Sequence, residues 1–395
     1  MAFCRDSAGG ERQGLRVADV LRAALLGNPR PLPVPHWKVL NALMRCRTQA
    51  LGGHLYHCED CGRDHFVPHS CRNRHCPSCQ RAAAVQWLQK QCASVLAVPY
   101  FHIVFTLPHS LNPLIAQNQR ALYNLLFAAA SATLLKFGQE RLKAQIGVTA
   151  VLHTWSQTLM DHYHLHCVVT GGGLAPEGWK SASETYLFPV RALSVVFAAK
   201  FRDGLKTLYE QGGLEFHGQL EPLREPGRFR GLLAEALAKR WNVYIKRPFA
   251  GPEAVLAYLS RYTHRVAIGN GRILDLDERA RRVRFAYKDY ADGSRSKTMP
   301  LDLDEFLRRF CLHILPGRFV KIRHYGLLGN HKRAERIERA RELIGGQLEA
   351  PSAPGLEGVD APDFQPRCPH CGSLNVSLVE ISAPVRGMPI LCDSS

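Results

Sequence analysis

No run of about 18 consecutive apolar residues occurs in this 395-residue chain, so the sequence gives no sign of a membrane-spanning helix. The N-terminus, Met-Ala-Phe-Cys-Arg-Asp-Ser, also lacks the apolar core of a secretory signal. The expectation is a cytoplasmic protein with no membrane partner. There is neither an internal repeat nor a long low-complexity tract. Acidic residues are scarce: 34 Asp and Glu stand against 51 Lys and Arg, a formal net charge of +17. That surplus favours a polyanionic partner, nucleic acid before an anionic membrane surface. What the chain does have is length and cysteine. Its 395 residues exceed what one hydrophobic core usually spans, so two or three domains are expected. Thirteen cysteines, singles mixed with Cys-x-x-Cys pairs, read as metal ligands rather than disulfides in a reducing compartment.

Residues 15 to 50 read as helix, broken at Gly27-Asn-Pro-Arg-Pro-Leu-Pro-Val-Pro35, with Trp37, Leu40, Leu43 and Met44 at helical spacing. A cysteine-rich segment spans 54 to 81, and a helix from Arg81 to about Val98 follows. Strands are expected at Phe101 to Leu107, at Val148 to Trp155 paired as a hairpin with His162 to Thr170, and at Asn242 to Lys246, Arg272 to Leu276 and Arg282 to Tyr287. Helices are expected from Asn112 to about Leu142, Pro252 to about Arg261, Leu303 to His313 and His331 to Arg341. Phe319 to Tyr325 is a further run closing the region, and Pro351 to Pro366 is a linker rich in Pro, Gly and Asp. Strands and helices mixed in this order make an α+β fold.

Cys58-Glu-Asp-Cys61 and Cys76-Pro-Ser-Cys79 are two knuckles whose four thiolates would complete the tetrahedral shell of one structural zinc. Cys71 and the histidines His57, His65, His69 and His75 lie close by, most of them as bystanders. Arg72, Arg74 and Arg81 flank the second knuckle and suit a surface that faces nucleic acid. Cys368-Pro-His-Cys371 with Cys392 is a candidate second zinc site that is one ligand short, and a metal-free tail is the alternative.

The chemistry concentrates in His162-Tyr-His-Leu-His-Cys-Val-Val169. Side chains alternate along a strand, so His164 and His166 project together while Leu165, Cys167 and Val169 point into a core. Two imidazoles at i, i+2 can share one ion and leave positions on it open for a substrate. His162 lies on the same face but about 13 Å from His166, too far to join the same ion. The third ligand is left open among His153, Gln157 and His264. Downstream, Tyr258-Leu-Ser-Arg-Tyr262-Thr-His-Arg265 sets two phenols at i, i+4 on one helical face, a spacing equally suited to core packing.

Taken together, the zinc knuckles, the histidine pair, the tyrosine pair and the basic charge resemble the HUH-type rolling-circle transposases of the IS91 group. The segments that carry the resemblance are Cys46-Arg-Thr-Gln-Ala-Leu-Gly-Gly53, Cys71-Arg-Asn-Arg-His-Cys-Pro-Ser-Cys79, Pro99-Tyr-Phe-His-Ile-Val-Phe-Thr-Leu-Pro108, Leu152-His-Thr-Trp155, His164-Leu-His-Cys-Val-Val-Thr-Gly-Gly-Gly173, Tyr258 to Arg265 and Ile322-Arg-His-Tyr-Gly-Leu-Leu328. The resemblance implies an HUH-type antiparallel sheet with flanking helices, preceded by a small zinc-binding domain. It implies that His164 and His166 hold Mg²⁺ or Mn²⁺ against a scissile phosphate. It further implies that Tyr258 and Tyr262 attack phosphorus in single-stranded DNA at insertion-sequence ends, each leaving a 5′-phosphotyrosine and a free 3′-hydroxyl. Arg261 and Arg265 sit beside the phenols, and together with Arg72, Arg74, Lys246 and Arg323 they are the DNA contacts expected from charge.

The expected division is a helical and zinc-binding domain at 1–98, a catalytic domain at 99–330, a basic helix and linker at 331–366 and a small zinc-ribbon-like tail at 367–395. Three alternatives stand beside this reading. A plasmid relaxase or replication initiator would use the same chemistry, whereas a non-catalytic zinc-dependent DNA-binding protein would use the histidines and tyrosines for packing. A histidine-triad nucleotide hydrolase would use the alternating histidines but leave the knuckles and tyrosines without a task.

Overall fold

In the computed structural model, residues 14–26, 31–92, 94–246, 249, 254–255, 258–259, 263–345 and 367–385 are described. The N-terminal part runs through helices α1 (Val17–Leu25) and α2 (Val34–Arg45), strands β1 (Gly53–Cys58) and β2 (Asp64–Pro68), and helix α3 (Pro77–Cys92). The central part contains β3 (Tyr100–Thr106), α4 (Asn112–Gln117), α5 (Gln119–Phe137), β4 (Gln145–Trp155), β5 (Asp161–Ala175), β6 (Gly178–Ser181), α6 (Val190–Glu210), α7 (Pro226–Leu237) and β7 (Val243–Lys246). There follow β8 (Ile273–Asp277), β9 (Arg282–Asp289), β10 (Arg295–Asp302), α8 (Leu303–Leu312), β11 (Ile322–Gly326), α9 (Arg333–Ile344) and β12 (Val376–Ser382).

The central sheet is antiparallel in the order β11-β4-β5-β3-β7, with β6 paired to β5. Strand alternation gives it two chemically different faces. Ile103, Phe105, Ala150, Leu152, Leu165, Cys167 and Val169 face one way, into a core closed by Phe127 and Leu134 of α5 and Phe197 and Phe201 of α6. The alternate residues, His102, His153, His164 and His166 among them, face the other way. Beside them Tyr100 and Val168 pack with Leu88 of α3, Tyr258, and Ile337 and Ala340 of α9. The stretch from Gln119 to Leu142 is long and apolar enough, by composition, to cross a membrane, but 61% of its most apolar window is buried. Its hydrophobicity belongs to the sheet core.

A second core crosses the expected boundary at residue 98. Val20, Leu21 and Leu25 of α1 and Leu40 and Leu43 of α2 meet Phe306 and Phe310 of α8 and Phe285 of β9, together with Cys46, Cys76 and Cys79. The N-terminal helices are thus packed on the three-stranded sheet β10-β9-β8 rather than set apart from it. The tail expected at 367–395 does not stand alone. Its strand β12 pairs antiparallel with β1, giving a sheet of order β12-β1-β2.

Most expected strands and helices have counterparts within a few residues. The segment 252–261 is described only at Ala254, Val255, Tyr258 and Leu259, all helical. Seven elements had no helix or strand expectation: α6, α7, β1, β2, β6, β10 and β12. Strand β10 contains Pro300 and lies at a sheet edge, where a missing N–H costs no ladder bond. Helix α6 carries Leu193, Phe197, Phe201 and Leu205 at every fourth position, a stripe that helical periodicity makes legible.

Candidate functional site

The site is assembled by register across three strands. On β4 and β5, His153 pairs directly with His164 and Val151 with His166. On β3, Thr106 opposes His164 and Val104 opposes His166, so His102 is the diagonal neighbour of His166. The nitrogens of His153, His164 and His166 lie within 4.8 Å of one another. Of the third-ligand candidates, His153 is therefore the one brought to the pair. The Gln157 side chain donates to Tyr290 Oη at 3.3 Å, and His264 Nδ1 lies 3.0 Å from Thr263 Oγ1. His162 is directed to His109, 3.2 Å between ring nitrogens, and takes no place in the cluster.

Hydrogen bonds orient the rings of the cluster. His164 Nδ1 donates to the His162 carbonyl at 2.8 Å, leaving a lone pair on Nε2. His166 Nδ1 lies 2.9 Å from His102 Nε2 and 3.2 Å from Tyr258 Oη, and its Nε2 is the nitrogen that faces His164. The two Nε2 atoms are 3.1 Å apart, close to the spacing of two nitrogens each about 2.1 Å from one cation. Two facing lone pairs repel unless a proton or a cation lies between them. Burial holds His164 down at about 3 and pushes His166 well below the ordinary imidazole value, with His153 and other neighbouring histidines adding to that depression, so the rings are neutral ligands. His153 is locked by stacking on Trp155, 4.7 Å between centroids.

Tyr258 reaches this cluster from the opposite side. Its Oη is 2.6 Å from His102 Nε2, and its ring packs on Phe249 with centroids 4.9 Å apart. Burial lowers His102 to about 3, so its ring is neutral near pH 7, with Nε2 the nitrogen that meets the phenol. Sequence reasoning gave His102 no role, although it is the one imidazole in the otherwise apolar strand Tyr-Phe-His-Ile-Val-Phe-Thr. Tyr262 and Arg261 lie outside the described residues.

The cysteines are grouped differently from the expectation of one site made by Cys58, Cys61, Cys76 and Cys79. One cluster is Cys46, Cys71, Cys76 and Cys79, and the other is Cys58, Cys61, Cys368 and Cys371, each with all sulfurs within 4.8 Å. The reason is topological. Cys76 and Cys79 open α3 over the C-terminus of α2, where Cys46 caps the helix, whereas Cys58 ends β1, beside the start of β12. Cys392, the third cysteine expected at the tail site, lies outside the described residues, and Cys58 and Cys61 join Cys368 and Cys371 to make four thiols there without it. Among the bystander histidines, His57 pairs with Asp64 at 2.6 Å, and His75 Nε2 accepts from the Leu315 amide at 3.1 Å.

The expected DNA contacts also divide. Arg72 and Lys246 are exposed. Arg74 donates to the Phe319 carbonyl and thereby ties the cysteine module to the chain before β11. Arg323 lies 4.2 Å over the Phe127 ring and donates to Asn124 Oδ1 at 2.6 Å. Arg265 adds positive potential at His164 and His166.

Comparison with known proteins gives these residues a context. Residues 20–107 match the family described as "Transposase zinc-binding domain", and residues 147–336 match the one described as "Putative transposase". A protein named "Putative transposase y4qJ" from Sinorhizobium fredii is 42% identical over 97% of this chain and 100% of its own length. The "Transposase for insertion sequence element IS801" of Pseudomonas savastanoi is 28% identical over 89% of this chain and 85% of its own. A solved conjugative relaxase, TrwC in complex with oriT DNA, is 13% identical over 49% of this chain and 69% of its own, at a TM-score of 0.26. That last likeness is too slight to carry an argument.

Proposed function

We propose, from the premise that this chain belongs to the IS91 family of insertion-sequence transposases, that it cleaves and joins single-stranded DNA through a covalent tyrosine intermediate. The observation that carries the reading is Tyr258 Oη, 2.6 Å from His102 Nε2 and 3.2 Å from His166 Nδ1, beside the three imidazoles of His153, His164 and His166 on a rigid sheet.

His153, His164 and His166 would hold a divalent cation. Three nitrogen donors suit Mn²⁺ or another transition metal better than Mg²⁺, which prefers oxygen. Bound there, such an ion polarises a phosphoryl oxygen and offsets charge that develops in the transition state. A phenol is a weak nucleophile at neutral pH, since its ordinary pKa is near 10. His102 answers this by accepting the Tyr258 proton as the phenolic oxygen attacks phosphorus. The bond from phosphorus to the 3′ oxygen breaks, that oxygen takes up a proton, and the 5′-phosphate stays on the tyrosine. The phosphodiester energy is kept for rejoining. Tyr262 is the second nucleophile in this reading, and Arg265 and Arg261 neutralise the approaching backbone.

The test is to incubate zinc-loaded protein and Mn²⁺ with single-stranded DNA carrying the element's ends. A protein–DNA adduct that survives denaturing electrophoresis is expected, reduced in each single Tyr→Phe variant and abolished in Tyr258→Phe/Tyr262→Phe. Folded, metal-loaded protein that forms no adduct would overturn the reading. The histidine-triad alternative predicts nucleotide on histidine, but the third alternate histidine, His162, is turned to His109.

A further inference from the structure

Beyond both family matches, after residue 336, lies the knuckle Cys368-Pro-His-Cys371. We propose that Cys58, Cys61, Cys368 and Cys371 bind a structural zinc ion of their own, separate from the one at Cys46, Cys71, Cys76 and Cys79. This second ion clasps the C-terminal strand to the N-terminal module.

The four sulfurs have the spacing of a zinc shell. Cys58 Sγ is 3.6 Å from Cys371 Sγ, and Cys61 Sγ is 3.6 Å from Cys368 Sγ. Sulfurs about 2.3 Å from a tetrahedral ion stand roughly 3.8 Å apart, whereas a disulfide needs about 2.05 Å. The two knuckles also share one backbone plan. In the first, Gly62 N–H donates to Cys58 O at 2.8 Å and Cys58 N–H to Arg63 O at 3.0 Å. In the second, Gly372 N–H donates to Cys368 O at 2.9 Å and Cys368 N–H to Ser373 O at 2.8 Å. Each turn has its glycine at positive φ, +65° and +78°. Two copies of one turn, far apart in the sequence and face to face, are what a four-thiolate site requires of the backbone.

The surroundings interlock in the same way. Asp60 accepts from Ser373 Oγ at 2.5 Å and from Asn375 Nδ2 at 2.9 Å, and Glu59 Oε1 accepts from Ser377 Oγ at 2.7 Å. Gly52 leaves room for the strand's far end, since a Cβ there would lie 2.2 Å from Ser382 O. Yet β12 buries little: Leu378, Val379 and Ile381 are 50%, 58% and 62% exposed. A strand with so little apolar burial, joined through a long connection, needs another hold, and ligation to a shared metal supplies it. The module that matches the zinc-binding family is therefore completed by a segment from the other end of the sequence.

The experiment counts zinc in the full chain, purified under reducing conditions in a His153→Ala/His164→Ala background so that the histidine cluster contributes none. Two zinc ions per chain are expected, and one in the further variant Cys368→Ser/Cys371→Ser. Hydrogen exchange should show 376–382 losing protection in that variant while 161–175 keeps it. Cys92→Ser, outside both clusters, should leave the count at two. One zinc per chain before the serine substitutions overturns the proposal, as does a serine variant that retains two. A thiol count in denaturant with chelator that falls four short of thirteen would also overturn it, because the pairs would then be disulfides. If the serine variant does not fold, the count on the parent chain decides alone.

Discussion

His166 makes different use of its two ring nitrogens: Nε2 faces His164, and Nδ1 faces His102 and Tyr258. The cation position and the nucleophile are thereby joined through one side chain. Removing His102 should separate proton transfer from metal binding. His102→Ala is expected to slow adduct formation about 10²-fold or more at neutral pH, the usual size of a lost proton acceptor. The deficit should shrink as pH rises toward the phenol's ordinary value near 10, because hydroxide then does the work of the imidazole. Single-turnover cleavage across pH checks this, and a deficit that stays constant with pH would make His102 merely structural. His164 and His166 were legible in the sequence because strand alternation alone puts them on one face. His102 had no assigned role and His153 was one of several candidates, because they arrive from neighbouring strands and register is a long-range property.

Helix α8 shows what an element contributes through charge. Glu305 accepts from Arg308 at 2.7 Å and from Arg309 at 2.6 Å, and the Arg308 bond, helped by Arg309, holds its carboxyl at about 2. The folded value lies below the ordinary 4.3, so the stabilisation is present above about pH 4.5 and is lost as pH falls toward 2. The side chain is 32% exposed, so solvent screening leaves roughly 1 kcal/mol of the full effect. Glu305→Gln should lower the unfolding free energy read from a urea titration by that amount at pH 7 and make little difference near pH 2. Strand β11 depends instead on a shape. Gly326 has φ +61°, and a Cβ there would lie 1.9 Å from the Ile146 carbonyl of β4. Gly326→Ala should therefore cost about 3 kcal/mol or more, through backbone strain and loss of the β11–β4 edge. Differential scanning calorimetry checks it, and a neutral substitution would mean that the edge repacks. These constraints come from contacts across the fold, whereas helices such as α5 and α8 and the β4–β5 hairpin followed from local periodicity.

At the scale of the whole chain, knuckle spacing announced metal sites but could not say which knuckles share an ion. That choice is made where β12 joins β1 and where α2 meets α3, pairings invisible to local sequence. Charge divides in the same way. The formal net charge of +17 suits a nucleic-acid partner, but the fold has committed some of its cations internally. Arg323 spans Phe127 and Phe319 at 4.2 and 5.0 Å, and Arg74 is tied to the Phe319 carbonyl. Lys246 and Arg72 remain exposed. Neutralising about four to six phosphates of single-stranded DNA should give a slope of log K against log salt of roughly −3 to −4. Lys246→Ala should then make that slope about 0.7 less steep, one phosphate's share, with stability unchanged. Arg323→Ala should do the reverse, lowering the unfolding midpoint through lost contact with two rings while the salt slope stays near that of the parent. Fluorescence anisotropy over a salt series, paired with a urea titration of each variant, separates the two cations. If Arg323→Ala moved the slope and Lys246→Ala moved the midpoint, the assignment of one to DNA and the other to the core would be reversed.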